Sequence, residues 1–129
     1  MKLVDKSKIK RLVRKHGLEL LLIYGSVAKG QAKKNSDIDV AFRSVSKVNF
    51  LGLMADLVEI LEFSKVDLVN LDTANPLLLS QIVSDYVVLY GKKRAVDNLE
   101  IRAFNRYVDF KPFFDMENDF VNRVYNKVV

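Results

Sequence analysis

Between residues 24 and 42 the chain reads Tyr-Gly-Ser-Val-Ala-Lys-Gly-Gln-Ala-Lys-Lys-Asn-Ser-Asp-Ile-Asp-Val-Ala-Phe, which puts a Gly-Ser pair ten residues ahead of two aspartates that stand one residue apart. The mostly apolar run Leu18 to Tyr24 predicts a buried strand. Gly25-Ser26 reads as the turn leaving it, and Asp37 to Phe42 as a second strand that opens with its carboxylates. Side chains at i and i+2 of a strand share a face, so Asp37 and Asp39 project together. Carboxylates at such range repel and are costly unless a cation lies between them. A divalent metal is the natural cation, and Mg²⁺ held by carboxylates usually also takes oxygens from a substrate phosphate. Gly25 and Ser26 supply the complementary half. A glycine lets the backbone come close to a phosphate, and a helix start after it presents free amides and a hydroxyl.

Taken singly, these pieces have ordinary readings: a turn after a strand, and a loop end or cap at Ser36-Asp37. Joined at this spacing, Gly25, Ser26, Asp37 and Asp39 resemble the signature of the nucleotidyltransferase superfamily related to DNA polymerase β, which is Gly-Ser, about ten residues, then Asp-x-Asp. Lys29-Gly30 stands where that family usually has a basic residue and a glycine, and Ser36 precedes the first aspartate as it commonly does there. The resemblance implies nucleotide contacts from Gly25, Ser26, Lys29 and Ser36. It also implies a third carboxylate on a neighbouring strand, for which the segment Lys65 to Leu71 supplies Asp67. Asp67 sits near the start of an otherwise apolar strand, where an unpaired carboxylate is expensive to bury. A solvent-facing strand end or an ion pair with Lys65 is the structural alternative, and Asp72 is the competing residue. By the mechanism the resemblance implies, Asp37 and Asp39 bridge two Mg²⁺ ions, one on the triphosphate of ATP and one on the attacking hydroxyl. Asp67 binds the second ion and helps to take the hydroxyl proton.

At 129 residues the chain is expected to form one domain, residues 1–129, with a catalytic core over about 18–91 and a helical tail over about 92–129. It has no cysteine, which excludes disulfides and cysteine-zinc sites and suits a reducing cytoplasm. No apolar run approaches the roughly 20 residues of a spanning helix, and no h-region follows the N-terminal lysines, so a cytoplasmic protein without a membrane partner is expected. The net charge of +5 is concentrated in Lys2, Lys6, Lys8, Lys10, Arg11, Arg14 and Lys15. Ile9, Leu12 and Val13 give the same segment an ordinary buried stripe, which favours a solvated basic face over a nucleic-acid contact.

Asp5 or Ser7 caps this first helix and Gly17 ends it. His16, in its last turn, is read as structural. Val27 to Lys33 is expected as a short helix and Lys33-Lys34-Asn35 as the loop into Asp37. Asn49 caps a longer helix with Phe50, Leu53, Met54, Leu57, Val58 and Leu61 at helical spacing. Asn75-Pro76 starts another, and Tyr86 to Tyr90 reads as a further strand. From Lys92 the pattern is helical, and Pro112 is expected to split it into two helices. The fold class is therefore α/β (α+β): a small mixed sheet with flanking helices, the polymerase β palm-like nucleotidyltransferase fold, and a helical tail.

Larger relatives hold the base and the acceptor with a second domain, and barely sixty residues follow the Asp67 strand. The chain thus resembles the minimal nucleotidyltransferases, many of them encoded beside a helical HEPN-class protein, usually an RNase toxin, and acting as its antitoxin. The resemblance implies AMP transfer from ATP to a tyrosine of that toxin. A small-molecule, aminoglycoside-type transferase and a non-catalytic antitoxin acting by binding alone are the alternatives. More than half of the aromatics lie from Phe104 onward, and Phe110, Phe113 and Phe114 are not expected to face one way. Part of the tail should then stay open for another chain, the toxin or a second copy in a homodimer.

Overall fold

The computed structural model describes residues 4–30 and 37–127. The elements follow as α1 (Lys6–His16), β1 (Leu18–Tyr24), β2 (Ile38–Ser44), α2 (Phe50–Leu61), β3 (Val66–Asn70), α3 (Pro76–Ser84), β4 (Tyr86–Tyr90) and α4 (Lys93–Lys127). The sheet order is β3-β2-β1-β4. β1 runs antiparallel to β2 and β4, whereas β2 and β3 are parallel, so the sheet is mixed as expected. Parallel neighbours need a long crossover, and α2 provides it.

Burial on both faces explains why β1 is apolar apart from Glu19 near its start. Leu21 and Ile23 join Val40, Phe42 and Leu68 beneath the buried residues of α1 and α2. Leu20 and Leu22 join Ala41, Leu79, Ile82, Leu99 and Ala103 on the other side, under α3 and α4. The helix starts use short acceptors at the first turn. The Asp5 carboxylate accepts from the Ser7 amide at 2.9 Å, Asn49 from the Gly52 amide at 3.1 Å, and Asn75 from the Leu78 amide at 2.8 Å. Gly17 closes α1 in the left-handed region at φ +66°. His16 is structural: its Nε2 lies 2.7 Å from the Asp56 carboxylate, and so ties α1 to α2.

Two expectations fail. Residues 25–30 form turns rather than the start of a helix. The Lys29 amide bonds the Gly25 carbonyl at 3.1 Å, but the next bond is the shorter link from the Gly30 amide to Val27, and Gly30 then adopts φ +72°. A glycine in that conformation ends a helical turn at little steric cost. The rest of that expected helix, the Lys33–Asn35 loop, Lys2 and Ser36 lie outside the described residues. Pro112 does not split the tail either: α4 is one helix of 35 residues with the proline inside it. Side chains pair across the position, each pair offsetting a small part of the proline's cost. Phe110 stacks with Phe113 and Phe114 at centroid distances of 6.1 and 6.5 Å, Tyr107 with Phe114 at 6.3 Å, and Lys111 pairs with Asp115 at 2.8 Å. The three phenylalanines therefore share one cluster, with Phe110 and Phe113 exposed and Phe114 half-buried.

Leu99 and Ala103 are the buried residues of α4, and Arg106 still donates to the Ala74 carbonyl at 3.1 Å, but from Val108 to Lys127 every residue except Phe114 is exposed. Met116, Phe120, Val121, Val124 and Tyr125 all stand exposed along it. No helix among the described residues is long and apolar enough to cross a membrane.

Candidate active site

The register of the sheet assembles the motif. Tyr24, the last residue of β1, pairs with Asp39 of β2, and Asp39 pairs with Asp67 of β3. Asp39 follows Ile38 and precedes Val40, both buried beneath α1 and α2, so alternation turns it to the opposite face. Val66 and Leu68 flank Asp67 in the same way. Asp37, just ahead of β2, shares the parity of Asp39. The sequence thus brings three carboxylates to one end of one sheet face by strand register alone.

Gly25 joins the two halves of the motif. Its φ is +75°, and a Cβ built there would sit 2.6 Å from the Asp39 carboxylate. Only a residue without a side chain lets the turn pass this close to Asp39. The turn is fixed from behind, since the Gly25 amide donates to the Asp85 carbonyl at 3.3 Å and the Lys29 ammonium lies 3.4 Å from the Asp85 carboxylate. Ser26 is exposed in the same turn.

Charge at this end is unbalanced. Burial, then the neighbouring Asp67 and Asp37 carboxylates, raises the Asp39 pKa above its ordinary value. The Tyr24 hydroxyl is raised too, first by burial and then by Asp39 and Asp67. Lys65 is the cation present: its ammonium stands 3.8 Å from the Asp37 carboxylate and 3.6 Å from that of Asp67. The ion pair weighed as the alternative reading of Asp67 is therefore formed, and it involves Asp37 as well. Asp72, the competing candidate, lies past the other end of β3, bound to Arg43 and Arg102 at 3.1 and 3.0 Å. It belongs to no part of this cluster.

Among the described residues no three acidic or histidine side chains are already gathered closely enough to hold a metal ion. The donor chemistry nevertheless fits Mg²⁺: the oxygens are all carboxylate, and a lysine ammonium already lies between two of them. Tyr24 went unnoticed as part of the site. Its only signal was its place, the last strand residue before Gly25.

A site of this kind, with a glycine turn after one strand and carboxylates on the next two, is what a nucleotidyl-transferring class of protein carries. Residues 7–95 match the family described as Polymerase beta, Nucleotidyltransferase, and the chain belongs to that family. It is a nucleotidyltransferase homologous to the protein adenylyltransferase MntA of Shewanella oneidensis, 29% identical over 112 residues that make up 83% of this chain and 80% of that protein. It is also 32% identical over 85 residues to a candidate protein adenylyltransferase of Methanocaldococcus jannaschii, covering 64% of this chain and 90% of that one. Among solved structures, a chain of a toxin–antitoxin complex crystallised with AMP-PNP superposes with a TM-score of 0.79 at 27% identity, over 92% of this chain and 98% of the other. The MNT antitoxin complex of the tri-AMPylated Shewanella oneidensis HEPN toxin gives 0.71 at 25% identity, over 90% and 94% of the two chains.

Proposed function

We propose that this chain is an antitoxin that transfers AMP from ATP, with Mg²⁺, to a tyrosine hydroxyl of a HEPN-type RNase toxin. The observation that supports the reading most is the close approach of Gly25 to Asp39, which brings the glycine turn beside a carboxylate of the motif. In the reaction the hydroxyl oxygen bonds to the α-phosphorus, the bond from that phosphorus to the β-phosphate oxygen breaks, and pyrophosphate leaves. Asp37, Asp39 and Asp67 are the residues that would hold Mg²⁺. When bound, the ions offset triphosphate charge and make the hydroxyl more acidic. Asp67, on the outermost of the three motif strands, accepts the hydroxyl proton. Gly25 and Ser26 orient the phosphates through backbone amides and the serine hydroxyl. Lys29 and Ser36 are assigned further nucleotide contacts by their place in the motif.

The exposed apolar tail supports a protein acceptor. The toxin–antitoxin chain noted above matches 92% of this chain, whereas a solved minimal nucleotidyltransferase (TM-score 0.54, 26% identity) covers 64% of it and 86% of its own length. A long helix carrying Phe113, Phe120 and Val124 into solvent is an unusual apolar display for a free domain and an ordinary one for a subunit of a complex. An RNase target also places the reaction in the cytoplasm.

The test is incubation of the chain with the toxin, Mg²⁺ and ATP, followed by mass spectrometry of the toxin. The expected product carries AMP on tyrosine, and the treated toxin loses RNase activity. An unmodified toxin that is nonetheless silenced would replace transfer by simple occlusion.

A further inference from the structure

A groove of about 410 Å³ runs beside β3, lined by Phe50, Met54 and Val58 of α2 and by residues 64–69. Successive strand residues point to opposite faces, so a groove touched by every residue from Lys65 to Val69 follows the open edge of the strand. β3 is the end strand of the sheet, bonded to β2 alone. Its outer edge therefore presents backbone donors and acceptors, and the side chains of α2 form an apolar wall next to them. Asp67 lies midway along the strand residues that line it.

The sheet order gives this groove a role. Across the strands the phosphate turn follows β1, Asp39 lies on β2, Asp67 on β3, and the groove beyond β3. In-line displacement at phosphorus needs nucleophile and leaving group on opposite sides. With the phosphates held at Gly25 and Ser26, the acceptor hydroxyl must arrive from the β3 side. Building on the transfer reading above, we propose that the β3 groove binds the acceptor protein's tyrosine-bearing segment in extended form. Its backbone pairs with the edge of β3, and apolar neighbours of the tyrosine rest on Phe50, Met54 and Val58. The tyrosine ring then ends at Asp67, which takes its proton.

The proposal is tested first by binding. A capped valine-tyrosine-valine amide is titrated into the full-length protein and followed by amide NMR, with its glycine-centred counterpart as control and AMP-PNP with Mg²⁺ in a separate arm. The tyrosine peptide should shift amides of Val66 to Val69, and AMP-PNP those of Gly25 and Ser26. Peptide shifts elsewhere or none, AMP-PNP shifts filling the groove, or shifts at β3 that depend on protein concentration without peptide would each overturn it. The last would assign the edge to a second copy.

Kinetics give the second arm. Phe50→Glu and, independently, Met54→Lys should each raise the KM for the acceptor protein at least tenfold, with the KM for ATP and saturated kcat unchanged. Unchanged acceptor KM in folded variants, beside an active wild type, overturns the groove and leaves transfer standing. A wild type that modifies no tyrosine, yet binds the peptide at β3, overturns transfer and leaves the groove as a peptide site.

Discussion

The two ends of β2 and β3 carry similar residues and treat them differently. At the far end Arg43 donates to Asp72 at 3.1 Å and to Glu19 at 3.0 Å, and Arg102 donates to the Asp72 carboxylate at 3.0 Å and to its carbonyl at 3.1 Å. Each acid there has a guanidinium. At the near end, among the described residues, Lys65 stands 3.8 Å from Asp37 and 3.6 Å from Asp67, and burial raises the pKa of Asp39. A network that completes its own charge balance has little left to offer a ligand, while one short of positive charge is built to receive a cation. Cavity size does not separate the two ends. The hollow beside Asp72 is about 510 Å³, larger than the groove at Asp67.

The contrast breaks most sharply at the carboxylates. Asp39→Asn or Asp37→Asn removes a metal-ligand charge while nearly keeping shape, so transfer should fall below detection in an assay with saturating Mg²⁺ and ATP. Thermal unfolding of the nucleotide-free protein should not worsen, and Asp39→Asn should raise the midpoint because the cost of burying a charge, and after it the repulsion from Asp67 and Asp37, is relieved. Wild-type turnover in both variants would end the reading of the near end as a metal site.

Next in size is Gly25→Val. A β-carbon there meets the Asp39 carboxylate at 2.6 Å in a backbone conformation with φ +75°. The left-handed conformation alone costs a residue with a side chain about 1–2 kcal/mol. Denaturant titration should register that loss, and ATP turnover should drop more than stability does, because the turn can no longer approach both Asp39 and the phosphates. Full activity would mean that the turn is structural only.

How much of this was legible beforehand differs between the same regions. The near end was readable because its information is local: Gly25, Ser26, Asp37 and Asp39 lie within one strand-turn-strand segment, and alternation fixes which way the aspartates point. Asp67 needed a partner strand, yet a carboxylate among apolar strand residues announced itself. The far end was not readable. Arg43, Asp72 and Arg102 are far apart in sequence and meet only through tertiary packing. Pro112 misled for a related reason. The proline rule describes one missing hydrogen bond and a clash and does not register the tilted ring contacts among Tyr107, Phe110, Phe113 and Phe114 that flank the position.

Lys65→Met sharpens the comparison without touching a carboxylate. If the ammonium holds the place of a metal, removing it should let the nucleotide-free protein bind Mg²⁺ or Mn²⁺ severalfold more tightly in a calorimetric titration. Unchanged affinity would make Lys65 a surface pair only. The matching change at the far end, Asp72→Ala, should cost about 1 kcal/mol of stability, since these groups are partly exposed and surface pairs contribute little each. Transfer should be unaffected, and loss of transfer in a folded Asp72→Ala protein would mean that the two ends are coupled.

The smallest effect concerns Asp56, a carboxylate that is paired like Asp72 but on the opposite face of the sheet. Its hydrogen bond with His16, then that with Lys15, holds its pKa below the ordinary 3.8. A depressed carboxylate pKa means that the unfolded chain binds the proton more readily, so the stabilisation is full above the unfolded value and is lost as pH falls through the folded one. The stability difference between wild type and Asp56→Asn should therefore shrink as pH falls below about 4. Urea titrations across that range measure it directly. A difference that stays flat down to the acid limit would show that His16 and Lys15 contribute packing rather than charge, and that pairing alone does not set how this protein's carboxylates titrate.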